Sequence, residues 1–213
     1  MSIDAIRENY DHPPFTEQDA APDPFKQFGV WFEFARQADG RTPNAMTLAT
    51  CSKAGVPSAR TVLLKGYDRD GFVFFTNYQS DKARDLDENP LASLVFYWDT
   101  LARTIRIRGT VTKVSREETD AYFKTRPRDS QLGAWASEQS TVIDSRDTLH
   151  SRFDQIKEKY AGQDIPTPPN WGGYRVCPTV IEFWQGQTSR LHDRLRYTRR
   201  DDGQGWTMQR LAP

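Results

Sequence analysis

The stretch from Ala45 to Asn77 reads AMTLATCSKAGVPSARTVLLKGYDRDGFVFFTN, and its period decides the fold. Apolar and β-branched residues recur in short runs with a period of two. The runs are separated by Lys53-Ala54-Gly55 and by Asp68-Arg69-Asp70-Gly71, the turn chemistry of hairpins. Strands are therefore predicted over Ala45 to Cys51, Ser58 to Tyr67 and Phe72 to Asn77. Ser80 can cap a short helix ending near Asn89-Pro90, after which Leu91 to Trp98 and Arg103 to Lys113 read as a further hairpin. Five strands in about 70 residues, mostly hairpin-connected, argue for an antiparallel sheet closing towards a barrel.

Upstream, Asp23 followed by Pro24 is a helix start, and Phe25, Phe28, Phe32 and Ala35 recur at helical spacing towards a stop near Gly40. Residues 1–22 carry Pro13, Pro14 and Pro22 among acidic and small residues, which predicts a flexible or extended N-terminal arm ahead of a single domain, 23–213. Downstream, Ser115 with Glu118 has capping-box spacing and opens a helix to about Thr125. A second helix is expected over Ser145 to Tyr160, with Leu149, Phe153 and Ile156 on one face. After a proline-rich linker, strands are expected at Gly173 to Val176, Val180 to Gln185, Arg194 to Arg199 and Trp206 to Arg210. The fold class is mainly β with flanking helices, an α+β arrangement.

The composition removes several alternatives. Lys and Arg balance Asp and Glu at 29 each, so nucleic-acid binding would need a local patch rather than an overall basic field. Six acids against Arg7 give residues 1–24 a net charge of −5, leaving +5 for the rest of the neutral chain. Cys51 and Cys177 are too few for a disulfide framework, and with three histidines they show no metal-ligand spacing. No apolar run is long enough to cross a bilayer, and the acidic N-terminus does not resemble a signal peptide. A soluble, cytoplasmic protein with no metal, membrane or nucleic-acid partner is expected. Glycine-rich nucleotide loops, a G-x-S-x-G elbow and an H-E-x-x-H motif are all missing from the sequence.

What remains is a set of basic residues in unusual places. Arg60 and Lys65 bracket an apolar run and are five positions apart, hence on opposite faces of an ideal strand. A bulge, a strand end or two ligands would reconcile them; edge cations that deter aggregation are the plain alternative. Thr76 to Lys82 brings a hydroxyl, a helix start and a lysine together, which suits an anion but also suits ordinary capping. Arg126-Pro127-Arg128-Asp129-Ser130 offers guanidinium forks and a hydroxyl for a phosphate, or a solvated helix-to-loop junction. From Gly186 to Arg200 five arginines stand against Asp193 alone. In an extended chain Arg190, His192 and Arg194 would share a face beside Trp184, with the histidine held neutral between two cations.

At these residues the sequence resembles the pyridoxamine 5'-phosphate oxidase family. The resemblance rests on RTVLLK (60–65), FFTNYQSDKA (74–83), ENPLASLVFYW (88–98), RPRDSQLGAWASEQS (126–140), NWGGYRV (170–176), and IEFWQG with RLHDR (181–194). It implies a split β-barrel homodimer with FMN in two clefts between the chains. By that resemblance Arg60, Lys82 and Ser140 bind the flavin phosphate. Thr61, Val62, Leu63, Lys65, Phe75, Thr76, Gln139, Trp184 and Arg194 contact FMN elsewhere. Lys65, Tyr122, Arg126 and Ser130 would clamp the phosphate of a B6 vitamer, with Arg190 and His192 over its pyridine ring as catalytic residues and O2 as acceptor. Asp81 stands where the family commonly has Arg, and Thr104 where it commonly has Gln. Two rivals are a flavin oxidase of phenazine biosynthesis on the same scaffold, and a flavin or pyridoxal-phosphate carrier without catalysis. An intact phosphate clamp argues against the first, because a substrate lacking phosphate would leave it unpaired.

Overall fold

The computed structural model describes residues 10–38 and 42–213. Helix α1 (Pro24–Ala38) begins where expected, with Asp23 Oδ1 accepting from the backbone N–H groups of Phe25 (2.8 Å) and Lys26 (3.0 Å). Its buried stripe is Phe25, Phe28, Trp31 and Ala35. Trp31 takes the core place expected for Phe32, which instead stacks half-buried on Phe28. The expected helix stop near Gly40 lies outside the described residues.

Among the described residues nine strands follow: β1 (Ala45–Cys51), β2 (Pro57–Leu63), β3 (Gly66–Asp68), β4 (Gly71–Asn77), β5 (Leu91–Trp98), β6 (Arg103–Lys113), β7 (Trp171–Gln185), β8 (Asp193–Arg199) and β9 (Trp206–Arg210). All pairings are antiparallel, in the order β2-β1-β5-β6-β7-β4-β3, with β8 on β7 and β9 on β8. The sheet curls into a half-barrel around Phe28, Phe72, Phe74, Phe96, Ile105, Phe183 and Tyr197. No helix among the described residues is long and apolar enough to cross a membrane.

Two departures from the expected strands shape the molecule. The expected run from Ser58 to Tyr67 breaks after Leu63, because the backbone changes partner there: Leu64 N–H donates to Asn44 and Lys65 N–H to Val73. The strand end removes the alternation argument that set Arg60 and Lys65 on opposite faces. Conversely, the two short strands expected around Pro178 are one strand of 15 residues. It survives its proline through a bulge, where the register with β6 shifts between Arg108 and Gly109 and Thr179 Oγ1 donates to Arg108 O.

Helices α2 (Asp81–Glu88), α3 (Arg116–Thr125), α4 (Arg128–Ala136) and α5 (Arg146–Lys159) flank the sheet. Ser115 and Ser145 cap α3 and α5 by accepting from Glu118 and Thr148 backbone N–H groups. Leu149, Phe153 and Ile156 on α5 are only half-buried. Helix α4 was not expected, since its charges mask the apolar pair Leu132 and Ala136, which is buried one turn apart. Leu132 joins Phe123, Tyr160, Ile165 and Trp171 in a second core.

The expected flexible arm is anchored from Tyr10 onward. Phe15 is buried against Trp31 and Phe183, and its N–H donates to Asp193. Glu17 pairs with Arg210, and Tyr197 OH donates to Ala21 O. Apolar burial and an ion pair to the C-terminal strand thus offset the arm's proline-rich, acidic composition.

The bulge supplies a stability test. A Cβ at Gly109 would stand 2.0 Å from the Cys177 carbonyl oxygen. Gly109→Ala is expected to cost about 2–4 kcal/mol in denaturant unfolding. Gly133→Ala, on a helix with open space around the new methyl, is expected to be neutral or to gain up to about 1 kcal/mol. Equal stability of the two variants would contradict the bulge geometry.

Candidate active site

One cavity of about 1030 Å³ opens between the half-barrel and the α3–α4 layer. It is lined by Arg60, Thr61, Val62, Leu63 and Lys65 from β2 and its end, by Phe75 and Thr76 from β4, and by Lys82 of α2. Across from them stand Tyr122, Arg126, Ser130, Gln139 and Ser140. The structure brings all of these expected site residues together.

At one end, Lys82 is 7% exposed, and its Nζ donates to Thr76 Oγ1 (3.2 Å), Ser80 Oγ (3.2 Å) and Gln139 Oε1 (3.1 Å). These partners are neutral oxygens, so among the described residues the ammonium has lost water without an ion-paired carboxylate, the neighbouring Asp81 opposing the loss only at a distance. Burial, and behind it the Arg60 charge, hold its pKa below the usual lysine value. Arg60 is fixed from below: Nη1 donates to Thr50 Oγ1 (2.7 Å) and Nη2 to Ser58 Oγ (2.6 Å), with Asp85 at 3.7 Å. Ser80 sits at the start of α2 without capping it; its hydroxyl donates to Asn77 O and accepts from Lys82. Ser140 has a left-handed backbone, φ 72, and its Oγ accepts from Asp81 N–H. A non-glycine residue held there is the kind of local cost that functional sites carry.

At the other end the Arg126 guanidinium lies 4.6 Å over the Trp171 ring and 5.4 Å from Phe123. Its Nη1 is buried with no hydrogen-bond partner among the described residues, and burial lowers its pKa. Between the ends runs an aromatic wall: Tyr122 stacks on Phe75 at 4.1 Å and Phe75 on Trp171 at 5.3 Å. Of the two arginines around Pro127, only Arg126 faces the cavity. Arg128 is structural, donating to the Gln163 and Tyr160 carbonyls that close α5.

Among the lining residues that sequence reasoning did not assign to the site, two stand out. Asn77 Nδ2 is a second buried donor without a partner among the described residues. Trp171 announces itself in Trp-Gly-Gly: a Cβ on Gly172 would meet Tyr78 OH at 2.2 Å, and one on Gly173 would meet Phe75 at 2.8 Å. The glycines are what let the aromatic rings close on this strand.

Trp184, Arg190, His192 and Arg194 do not line this cavity in their own chain. They cluster at the other end of β7. His192 lies 4.6 Å from Trp184, and Tyr10 packs edge-on against both. Thr104 is the β6 register partner of Trp184. The expected alternation of Arg190, His192 and Arg194 along an extended face is corrected here. Thr188–Arg190 form a tight 3-10 turn, with Ser189 and Arg190 left-handed, and β8 begins only at Asp193. Arg194 is held by Glu182 at 2.8 Å and donates to Ala212 O. His192 Nδ1 accepts from Gln187 N–H at 3.1 Å; burial first and Arg190 second hold its pKa below 6.5.

Comparison with known proteins matches these two regions separately. Residues 35–160 match the family model of pyridoxamine 5'-phosphate oxidase. Residues 171–213 match that of the pyridoxine 5'-phosphate oxidase C-terminal dimerisation region. The pyridoxine/pyridoxamine 5'-phosphate oxidase of Burkholderia multivorans is 58% identical over 98% of this chain and 97% of its own length. The protein of the same name from Gloeothece citriformis is 54% identical over 100% and 99%. Among solved structures, PhzG from Burkholderia lata, in complex with tetrahydrophenazine-1-carboxylic acid, superposes with a TM-score of 0.86 at 32% identity, over 92% of this chain and 95% of its own. With both regions matched in order and the half-barrel shared, the chain belongs to the pyridoxamine 5'-phosphate oxidase family.

Proposed function

We propose that the cavity binds FMN and that two copies of the chain together oxidise pyridoxamine and pyridoxine 5'-phosphates to pyridoxal 5'-phosphate, with O2 as acceptor and H2O2 released. The observation that carries this reading is electrostatic. One cavity has a desolvated cation at each end, Lys82 and Arg126, neither paired with a carboxylate among the described residues. Desolvated cations of this kind call for anions, and an aromatic wall between them suits flat rings. FMN and a phosphorylated vitamer bring two phosphates and two rings, which fits the site.

In this reading Arg60, Lys82 and Ser140 hold the flavin phosphate, and Thr61, Val62, Leu63, Lys65, Phe75, Thr76 and Gln139 border the rest of it. FMN, when bound, would supply the redox chemistry, as a two-electron acceptor for the substrate that is reoxidised by O2. Lys65, Tyr122, Arg126 and Ser130 orient the substrate by its phosphate, a remote handle that fixes the reacting carbon. For pyridoxamine 5'-phosphate the balance is one O2 and one water consumed, with one ammonia and one H2O2 released.

Trp184, Arg190, His192 and Arg194 are assigned to the site of the second copy. Two facts support this: they do not line their own cavity, and they lie in the region that matches a dimerisation module. A neutral His192 that accepts at Nδ1 carries its proton on Nε2, so the ring presents a donor to the substrate. The phenazine reading is weaker, because a substrate lacking phosphate leaves Arg126 buried and unpaired.

Two outcomes follow. The purified protein is expected to hold FMN at about one per chain and to consume O2 with added pyridoxamine 5'-phosphate, forming aldehyde and peroxide; colourless protein that gains no activity on adding FMN would contradict the reading.

His192→Ala is expected to lower kcat/KM by about 10²-fold or more while flavin content stays unchanged. In the unmodified protein the His192 ring, followed by NMR, is expected to titrate below 6.5, and Arg190→Ala to move it upward. Since the folded pKa is depressed, His192 contributes stability above the unfolded value, and this is lost as pH falls through the folded one. Loss of flavin in His192→Ala, with normal kinetics in the remaining holoenzyme, would overturn the assignment.

A further inference from the structure

Asp81 is the one acid among the described residues that line the cavity, where it sits at the first turn of α2 beside Lys82. Its backbone N–H donates to Ser140 Oγ at 3.3 Å, so residue 81 belongs to the end assigned to the flavin phosphate. A carboxylate there opposes the site's chemistry: it would repel a dianion and compete for Lys82, whose hydrogen bonds go only to neutral oxygens.

The carboxylate is held elsewhere. Asp81 Oδ1 accepts from Arg84 Nη2, and Arg84 Nη1 donates to the Gln79 carbonyl at 2.5 Å. Arg84 is one turn along α2 and does not line the cavity. It grips the carboxylate from outside and is braced on the loop that leads into the helix. Both side chains are more than half exposed, at 58% and 64%, so the pair adds little to folding stability. Its consequence lies in where it keeps a negative charge.

We propose that Arg84 is a positioning residue for the anion site, drawing the Asp81 carboxylate away from the phosphate end and screening its charge. The inference rests on the FMN reading and goes beyond it, because Arg84 touches neither the cavity nor the proposed ligand. The acid keeps its favourable place at a helix N-terminus, its charge still reaches Lys82, and Arg84 reduces the electrostatic penalty for the ligand.

The test uses the full chain, stripped of flavin and titrated by fluorescence with FMN and, separately, with riboflavin, which has the same ring and no phosphate. Arg84→Ala is expected to weaken FMN about 5- to 20-fold and to change riboflavin by less than about 2-fold. Adding Asp81→Asn to Arg84→Ala is expected to restore FMN affinity to within about 3-fold of the unmodified chain, and Arg84→Lys to recover part of it. The proposal is overturned if Arg84→Ala binds FMN normally, if both flavins weaken together, or if Asp81→Asn fails to rescue. If the unmodified chain does not distinguish FMN from riboflavin, the phosphate assignment falls and takes this inference with it. If it does distinguish them and only the rescue fails, the function stands and the role of Arg84 does not.

Discussion

Strand β7 ties the cavity and the Trp184–His192 cluster into one rigid element. It pairs along its length with β6, near its start with β4 and towards its end with β8. No other strand among the described residues has three partners. The arrangement needs the bulge at Pro178, where Gly109 has no side chain and Cys177 O takes the space. From its first residue, Trp171, β7 supports the Arg126 guanidinium in the cavity. Near its last, Trp184 packs on His192 outside that cavity. One strand therefore fixes the distance between the cavity a chain offers and the side chains it presents elsewhere.

The cavity is expensive electrostatically. Lys82 and Arg126 are both shifted towards deprotonation by burial, and the partners that hold Lys82 are hydroxyls and an amide rather than carboxylates. A folded protein optimised only for stability would place an acid beside each. At the Lys82 end, Asp85 faces Arg60 and Asp81 is held by Arg84. On the proposed reading the unpaired charge is the cavity's recognition chemistry for anions.

Much of this was legible in the residues themselves. Between Ala45 and Lys113 the period-two runs match the observed strands except for the run from Ser58 to Tyr67, because turn chemistry and alternation are local properties. The basic segments at Arg60, Lys82 and Arg126 are conspicuous as cations beside apolar runs, whereas Val62, Phe75, Tyr122, Gln139 and Ser140 are legible only through the family resemblance, because apolar, aromatic and amide side chains carry no such signal. Errors came where tertiary contacts outvoted local pattern. Leu64 and Lys65 change strand partners, Pro178 is carried by a bulge, and α4 is stabilised by Leu132 against a core assembled from distant segments. The Arg190-His192-Arg194 alternation failed because two left-handed residues form a turn that neither side-chain type predicts. The arm looked mobile from composition alone, since the pocket that buries Phe15 is made by Trp31 and Phe183.

The central claim is that a working site takes its cavity from one chain and its Trp184–His192 group from another. Subunit complementation tests it most directly, using Arg126→Ala and His192→Ala chains that are each inactive alone. Mixed and allowed to exchange, they form heterodimers in which one site carries both substitutions and the other carries neither. The account predicts recovery to about a quarter of the unmodified activity at equal mixing, from random pairing of two-fold dimers. Mixtures that stay as inactive as their components, despite proven exchange of subunits, would place both residues in a site built by a single chain and contradict the account.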